Sequence, residues 1–301
     1  MNKKLVVGVL VLFLAVMTIV SLWGITNAGG RGKLAGGSAI GVIEINGVIS
    51  GETGGGLLSG YSANAMDIME SIRQARERED IKAVVLRIDS PGGSAVASQE
   101  IALELDRLRQ EGKKVITSMG DMCTSGGYWI ACSSDYIMAN GATLTGSIGV
   151  IMQLSNLEGL YEKLGIKEEV IKSGKHKDMG SATRTLTEEE RRLLEDIVGD
   201  SYDQFLDQVL KGRSGKISRE KLLEVADGRI ISGRQALELG LVDGIGNYYD
   251  ALDKARETAG LPEDSPVEIL NGIDFWKSLG LSVLGELSEQ VQGRFIELRY
   301  Q

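Results

Sequence analysis

Residues 83–119 read AVVLRIDSPGGSAVASQEIALELDRLRQEGKKVITSM, and this stretch decides the fold class. An apolar run at 83–88 is followed by turn residues, a helical pattern at 95–109 and a second apolar run at 115–119. Strands that alternate with helices of this length are typical of α/β units built on a mainly parallel sheet. The stretch therefore predicts an α/β fold.

The alternation continues on both sides of this stretch. Upstream, the pattern predicts a strand at 39–45 and a helix at 63–78. Downstream it predicts further elements, in chain order: a short helix from Gly126, strands at 136–139 and 148–152, a helix at 157–164, and a strand at 169–172. These elements indicate further α/β units on a mainly parallel sheet.

A longer helix begins at Thr187, where Glu190 three residues on predicts a capping box. Its apolar residues recur at helical spacing and so share one face, which we expect to be core. They are Leu193, Leu194, Ile197, Val198, Tyr202, Phe205, Leu206, Val209 and Leu210.

Composition supports a folded protein and excludes several classes of function. Hydrophobic residues are 43% and charged residues 25% of the chain, the balance of a globular protein. The net charge of −9 argues against nucleic acid as the main partner, because phosphate binding needs a basic face. Two cysteines exclude a disulfide scaffold, and a single histidine, His176, excludes a multi-histidine metal site.

The N-terminus has the pattern of a membrane anchor. Lys3 and Lys4 precede an uncharged apolar run at 5–23, which as a helix rises about 28 Å, close to the hydrocarbon thickness of a bilayer. The apolar region of a cleaved signal peptide is shorter, roughly 7 to 15 residues, although Thr26 and Ala28 also fit a cleavage site. We therefore expect one transmembrane helix, a cytoplasmic N-terminus and an extracytoplasmic body.

Four segments follow from these patterns. Residues 1–28 form the anchor and 29–37 a glycine-rich linker. Residues 38–260 hold the alternating strands and helices, and 261–301 form a C-terminal extension with amphipathic stretches. The body at 38–260 is where we expect a functional site.

Two glycine-containing turns in this body have the features of a catalytic site. DSPGGS at 89–94 lies between a strand and a helix, where adjacent glycines turn the backbone sharply and can point N–H groups at an oxyanion. A turn without a ligand is the simpler interpretation.

In the second turn, MGDMCTSGGYW at 119–129, Ser125 starts a helix whose dipole favours negative charge. A helix-capping serine is the alternative.

A nucleophilic serine needs a base, and the sequence offers two kinds. His176 is the only imidazole, and its neighbours are cationic. A lysine of lowered pKa from the cluster Lys172, Lys175 and Lys177 is the other candidate, unless that cluster is a solvated loop. Cys123 and Cys132 fit small buried spaces, and a Cys123–His176 pair stays open.

Five motifs in order resemble the bacterial signal peptide peptidase A family, in its short, single-repeat, membrane-anchored form. They are IDSPGG, TSGGYW around Ser125, TLTGSIGV at 143–150, KSGKHKD at 172–178, and ADGRIISGRQALELGLVDGIG at 226–246. The resemblance covers about residues 38–258. It implies a Clp-protease/crotonase-like fold with repeated β-β-α units.

The resemblance also implies roles for particular residues. Ser125 corresponds to the nucleophile of a Ser-Lys serine endopeptidase, Lys177 to its general base, and Ser147 to a hydroxyl that orients that lysine. Gly93 corresponds to an oxyanion-hole donor and Gly126 to a second one. No cofactor or metal is implied.

The resemblance further implies partners and a location. The implied substrates are remnant signal peptides left in the membrane after release from preproteins, and the implied assembly is a ring of identical subunits with active sites at protomer interfaces. The implied location is the bacterial cell membrane, with the catalytic domain at 38–260 outside. Two alternatives remain open, namely a crotonase-like acyl-CoA hydratase or isomerase and a non-catalytic ring scaffold.

Overall fold

The computed structural model describes residues 38–51 and 62–271. The expected anchor at 1–28, the expected linker at 29–37 and the end of the C-terminal extension at 272–301 lie outside the described residues. Among the helices of the two described ranges, none has the length and apolar character needed to cross a membrane.

The described residues alternate strands and helices, as the sequence predicts. The strands are β1 Ala39–Asn46, β2 Val48–Ser50, β3 Ser62–Asn64, β4 Ile81–Ser90, β5 Lys114–Thr124, β6 Tyr136–Ala139, β7 Leu144–Gly146, β8 Ile230–Ser232, β9 Gly244–Ile245 and β10 Val267–Ile269. The helices are α1 Ala65–Glu77, α2 Ala95–Gln110, α3 Gly126–Ala131, α4 Glu158–Leu164, α5 Glu188–Gly212, α6 Arg219–Leu223, α7 Gly233–Glu238 and α8 Tyr248–Ala259.

A mainly parallel sheet forms the centre, in the order β10-β1-β4-β5-β6-β9. All pairs along this path are parallel. Strands β2 and β3 form a separate parallel pair. The mixed α/β fold class is therefore confirmed. Because β10 pairs with β1, the sheet also takes in residues that the sequence placed in the C-terminal extension.

Helices cover both faces of the sheet. Alternate residues of β4 point to opposite faces, so that Val84, Leu86 and Ile88 join one apolar cluster with α1, α2 and α3, while Ala83 and Val85 join another with α8. Buried strands of parallel sheets are apolar on both faces for this reason. The run AVVL in the sequence has this character.

Strand β5 pairs with two different neighbours along its length. Its first half pairs with β6, from Ile116 to Ser118, and its last residues pair with β7, where Thr124 lies opposite Gly146. On its other side, the register with β4 shifts between Ile88 and Ser90. The fork places the carboxyl ends of β5 and β7 side by side.

Two of the expected strands are not formed. Residues 148–152 follow β7 instead of forming a strand, because Gly146 and Ser147 have positive φ values of 77° and 51° and end the extended conformation. Residues 169–172 are exposed and lack regular structure, and no described strand lies beside them to pair with their backbone.

The long helix α5 starts with the expected capping box at Thr187 and Glu190. Its apolar face is core only in part. Phe205, Leu206 and Val209 are buried, and Phe205 stacks on Trp129 of α3 at 5.0 Å between ring centroids. Leu193 and Ile197, nearer the helix start, are 40% and 50% exposed.

Candidate active site

Ser125 lies in the turn between β5 and α3. Its backbone has φ 51° and ψ −120°, a conformation that costs a non-glycine residue about 1–3 kcal/mol. The Ser125 N–H donates to the Gly146 carbonyl at 2.9 Å, and its carbonyl accepts from the Trp129 N–H at 2.9 Å. Its hydroxyl makes no capping hydrogen bond, although Ser125 occupies the capping position. The helix-capping interpretation of this serine is therefore wrong.

Ser147 follows β7 as Ser125 follows β5. It also has a φ of 51°, and its N–H donates to the Arg229 carbonyl at 2.8 Å. The Thr145 hydroxyl donates to the Cys123 carbonyl at 2.7 Å and ties the two strand ends together. The structure thus brings Ser125 and Ser147 into one site, and both are half-buried.

Gly92 and Gly93 bring the other turn against Ser125. A Cβ on Gly92 would lie 2.8 Å from the Ser125 Cβ and from the Gly126 nitrogen. A Cβ on Gly93 would lie 2.0 Å from the Ile49 carbonyl oxygen. Only glycine fits at these two positions, because the contacts are with backbone atoms or with the serine itself.

The backbone hydrogen bonds of this turn do not use the Gly93 N–H. Ile49 donates to the Gly92 carbonyl and accepts from the Ser94 N–H, each at 2.9 Å, while the Gly93 N–H takes no part in this pairing. The buried Ser90 hydroxyl accepts from the Gly92 N–H at 3.1 Å and donates to the Gly47 carbonyl at 2.6 Å. These hydrogen bonds fix the turn to Ile49 of β2 and to Gly47, and Gly93 is exposed.

Gly126 lies close to Gly93. A Cβ on Gly126 would be 3.3 Å from the Gly93 nitrogen and 2.4 Å from the Ser98 hydroxyl oxygen. Both predicted oxyanion donors therefore lie beside Ser125, one at the start of α3 and one before α2. Backbone N–H groups at a helix start are suited to stabilising a developing negative charge.

Lys177 is placed differently. It lies in the irregular segment between α4 and α5, where its side chain is exposed and its N–H donates to the Gly174 carbonyl at 3.2 Å. In the described part of a single chain, its ammonium makes no hydrogen bond or ion pair. The structure brings Ser125, Ser147, Gly93 and Gly126 together, and it shows no contact between Lys177 and any of them.

The neighbours of Lys177 are held by charge. Lys172 Nζ lies 2.6 Å from Asp178, and Arg184 bonds both Asp178 and Glu190. These hydrogen bonds, the one from Arg184 first and that from Lys172 second, hold the pKa of Asp178 well below its usual range. Arg184 likewise lowers the pKa of Glu190 to about 2, with help from the Thr187 N–H.

His176 and the cysteines do not meet at the site. His176 Nε2 lies 3.3 Å from Glu189, and its Nδ1 is buried without a hydrogen-bond partner among the described residues. Cys123 and Cys132 are free and fully buried, and burial raises the pKa of both thiols, that of Cys132 to about 12. Reactive thiols have lowered pKa values, so a Cys123–His176 pair is disfavoured.

Three features of the site were missed by sequence reasoning. Ser98 lies against Gly126, Gly92 lies against Ser125, and Asp89 accepts from the Met122 N–H at 3.0 Å across the shifted register of β4 and β5. The Gly-Gly pair was a signal for the second of these. Contacts of Ser98 and Asp89 join residues far apart in the chain, and no local pattern marks them.

Comparisons with known proteins agree on one family. Peptidase family S49 matches this chain over residues 107–262. A protein of Synechocystis that is provisionally named a protease is 45% identical over 213 residues, which are 71% of this chain and 74% of that protein. A provisionally named signal peptide peptidase SppA of Enterococcus faecium is 38% identical over 229 residues, 76% of this chain and 66% of that protein.

Protease 4 of Haemophilus influenzae is 35% identical over 230 residues, which are 76% of this chain and 36% of that protein. The chain therefore spans about a third of the length of Protease 4 and about two thirds of SppA. The family match includes the positions of Ser125, Ser147 and Lys177, while Gly93 lies ahead of it.

Proposed function

Because this chain belongs to peptidase family S49, we propose that it is a serine endopeptidase with Ser125 as nucleophile and Lys177 as general base. The family and the names of its relatives assign the chain to the proteases. The observation that carries the proposal is the strained turn at Ser125, which frees the hydroxyl from capping and sets it beside two backbone donors. We further propose that the fold is of the Clp-protease/crotonase-like type with repeated β-β-α units.

The proposed reaction proceeds through an acyl-enzyme. Neutral Lys177 takes the proton of the Ser125 hydroxyl as its oxygen attacks the scissile carbonyl, and the N–H groups of Gly93 and Gly126 stabilise the oxyanion. Lys177 then gives the proton to the leaving amine, and water hydrolyses the acyl-enzyme by the same route. Ser147 lies beside Ser125, and in the proposed dyad its hydroxyl orients the lysine.

Exposure of Lys177 supports an assembly of several copies. A lysine base must be neutral near operating pH, and burial is what lowers its pKa from about 10.4. The Lys177 side chain is exposed in one chain, so another part of the assembly must bury it in the proposed dyad. We assign this burial to the neighbouring subunit of a ring. Exposed apolar residues before, within and after α4 support this, including Ile151, Leu164 and Ile171 at 89%, 63% and 96%.

Remnant signal peptides are the proposed substrates. One relative is named for signal peptide peptidase activity, and the motif resemblance points to the same class. Apolar peptides of this kind suit a protease attached to the cell membrane by residues 1–28, with its catalytic domain outside. This location rests on the sequence pattern of the N-terminus.

The test is hydrolysis of a hydrophobic fluorogenic peptide by the full chain in detergent. We compare wild type with Ser125→Ala, Lys177→Ala and His176→Ala, and label each with a serine-reactive fluorophosphonate probe. We expect the first two variants to be inactive and the third to keep its activity. Loss in His176→Ala with survival of Lys177→Ala would overturn the assignment of the base.

Two other outcomes point to the alternative functions. A fully assembled wild type that neither cleaves the peptide nor reacts with the probe at Ser125 supports a non-catalytic scaffold. Turnover of an acyl-CoA substrate that persists in Ser125→Ala supports a crotonase-like enzyme.

A further inference from the structure

Arg184 joins two carboxylates that are twelve positions apart in the sequence. Its Nε lies 3.0 Å from Asp178 Oδ2 and its Nη2 lies 2.8 Å from Asp178 Oδ1, which is a two-point hydrogen bond. Its Nη1 and Nη2 also donate to Glu190 Oε2 and Oε1, at 2.8 and 2.6 Å. Lys172 completes the cluster through Asp178. We call these four residues the Arg184 clamp.

One end of the clamp is rigid. Glu190 is 2% exposed, and its carboxylate accepts from the Thr187 N–H at 3.0 Å in the capping box of α5. That helix is fixed in the core through Phe205 and Val209. Glu190 is therefore a fixed point on the body of the protein, and Arg184 holds Asp178 to it.

The other end of the clamp is next to Lys177. The segment 165–187 contains no helix or strand, so few backbone hydrogen bonds fix its course. Asp178 follows Lys177 directly, and its two-point bond to Arg184 sets the backbone there. Arginine is suited to this task, because its planar fork matches a carboxylate at two points.

We propose that Arg184 is a positioning residue for the proposed base, and that it fixes the Lys177 backbone to the start of α5 through Asp178 and Glu190. This inference rests on the proposed function. In this role Arg184 contacts neither the substrate nor the nucleophile. It acts only through the segment that carries Lys177.

Arg184 also balances charge beside Lys177. The groups of this segment and of the start of α5 that form ion pairs are Lys172, Lys175, His176, Asp178, Arg184, Glu189 and Glu190. The other charged groups there, apart from Lys177 itself, are Lys167, Glu168, Glu169, Glu188, Arg191 and Arg192. Within the clamp, two cations face two carboxylates. Without Arg184 one negative charge is in excess, and a nearby negative charge favours the protonated form of a lysine.

The experiment measures the pH dependence of kcat/KM for peptide hydrolysis by the full chain. We expect Arg184→Gln to lower kcat about 10-fold to 100-fold with little change in KM, because a small displacement of a catalytic group has this effect. The acidic limb of the profile moves to higher pH. Arg184→Lys, which restores the charge without the fork, returns the limb toward wild type and recovers only part of kcat.

Arg78 offers a matched control. It likewise joins two carboxylates, those of Asp80 and Glu268, and is 34% exposed compared with 29% for Arg184. It lies before β4, at the amino end of the strand whose carboxyl end leads to the Gly92–Gly93 turn. Arg78→Gln should change stability without moving the pH profile.

Two results separate this inference from the proposed function. If Lys177→Ala is inactive while Arg184→Gln and Glu190→Gln both keep the wild-type kcat and pH profile, the clamp has no positioning role and the dyad stands. If Lys177→Ala keeps full activity, the dyad itself is wrong. Should Arg184→Gln fail to fold, Arg184→Lys and Glu190→Gln decide by the same profile.

Discussion

Ser125 and Ser147 have the same φ of 51°, each one residue beyond the end of a strand, and the two strands are paired in parallel. The hydrogen bond from the Ser125 N–H to the Gly146 carbonyl, 2.9 Å long, links the two turns directly. A positive φ is uncommon for serine and costs free energy. Two such residues in one site indicate that the fold maintains strain at the place where we propose the chemistry.

This strain gives a prediction about Ser125. Ser125→Gly should have a free energy of unfolding about 1 kcal/mol higher than that of Ser125→Ala, because glycine adopts positive φ without steric cost. It should therefore unfold at a higher temperature. Both variants lack the hydroxyl, so neither is active and stability is compared without the reaction. Thermal unfolding of the two proteins checks this. Equal stability would show that the turn is not strained.

The contact between Gly126 and Ser98 gives a second prediction. In Gly126→Ala, the new Cβ would lie 2.4 Å from the Ser98 hydroxyl oxygen and 3.3 Å from the Gly93 nitrogen, so either the Ser98 hydroxyl rotates away or the start of α3 moves. We expect α3 to move and kcat to fall about 10-fold or more. The N–H of residue 126 is still present in this variant. The effect therefore comes from displacement of the turn.

Rescue tests that explanation. Adding Ser98→Ala to Gly126→Ala removes the clashing oxygen, and the next contacts of the Cβ are then 3.3 Å or longer. We expect most of the lost kcat to return. Ser98→Ala alone should cost only about 1 kcal/mol of stability, through loss of the Ser98 hydrogen bond to the Ser94 carbonyl. A double variant as slow as Gly126→Ala contradicts the steric account.

Acid should weaken the Arg184 clamp in a defined pH range. The pKa of Glu190 falls from 4.5 to about 2 in the folded protein, chiefly through Arg184. A lowered carboxyl pKa contributes stability above the unfolded-state value of 4.5, and this contribution is lost as pH falls toward 2. Urea unfolding between these pH values should therefore show a smaller decline for Glu190→Gln than for wild type. Parallel declines would mean that Glu190 is not stabilised by the clamp.

Exposed apolar residues make the ring proposal testable. Ile171 is 96% exposed in one chain, so Ile171→Glu should leave the fold unchanged and reduce the assembly to smaller species. Analytical ultracentrifugation of the full chain in detergent measures this. Tyr249→Glu is the control, since Tyr249 is 72% exposed on α8, away from this segment. If Ile171→Glu sediments like wild type and keeps its peptidase activity, there is no subunit contact at this segment.

Local sequence patterns predicted the central elements well because their periodicity reflects burial. The apolar run in β4 and the alternation of strands and helices after it reflect a sheet whose two faces are both covered by helices. The same reasoning was wrong for 169–172, where Val170 and Ile171 are the β-branched residues typical of a strand. An apolar run becomes a strand only where a neighbouring strand can pair with it, and that depends on tertiary structure.

The candidate site was predictable to a similar degree. Ser125 and Gly93 were marked by glycine pairs, because close backbone approach leaves only glycine as a fitting residue. Nothing local marked Arg184, whose partners lie six residues away on either side in different structural elements. Charge pairs of this kind follow from the course of the chain in space, which one sequence does not specify.

Strand β5 has different partners along its two halves, β6 for the first and β7 for the second. Both halves belong to the same eight-stranded sheet, and the second carries the turn of Ser125. Substitutions in the packing against β6 therefore act on the half of β5 that does not carry the serine turn. The position of the serine turn depends instead on the pairing of β5 with β7.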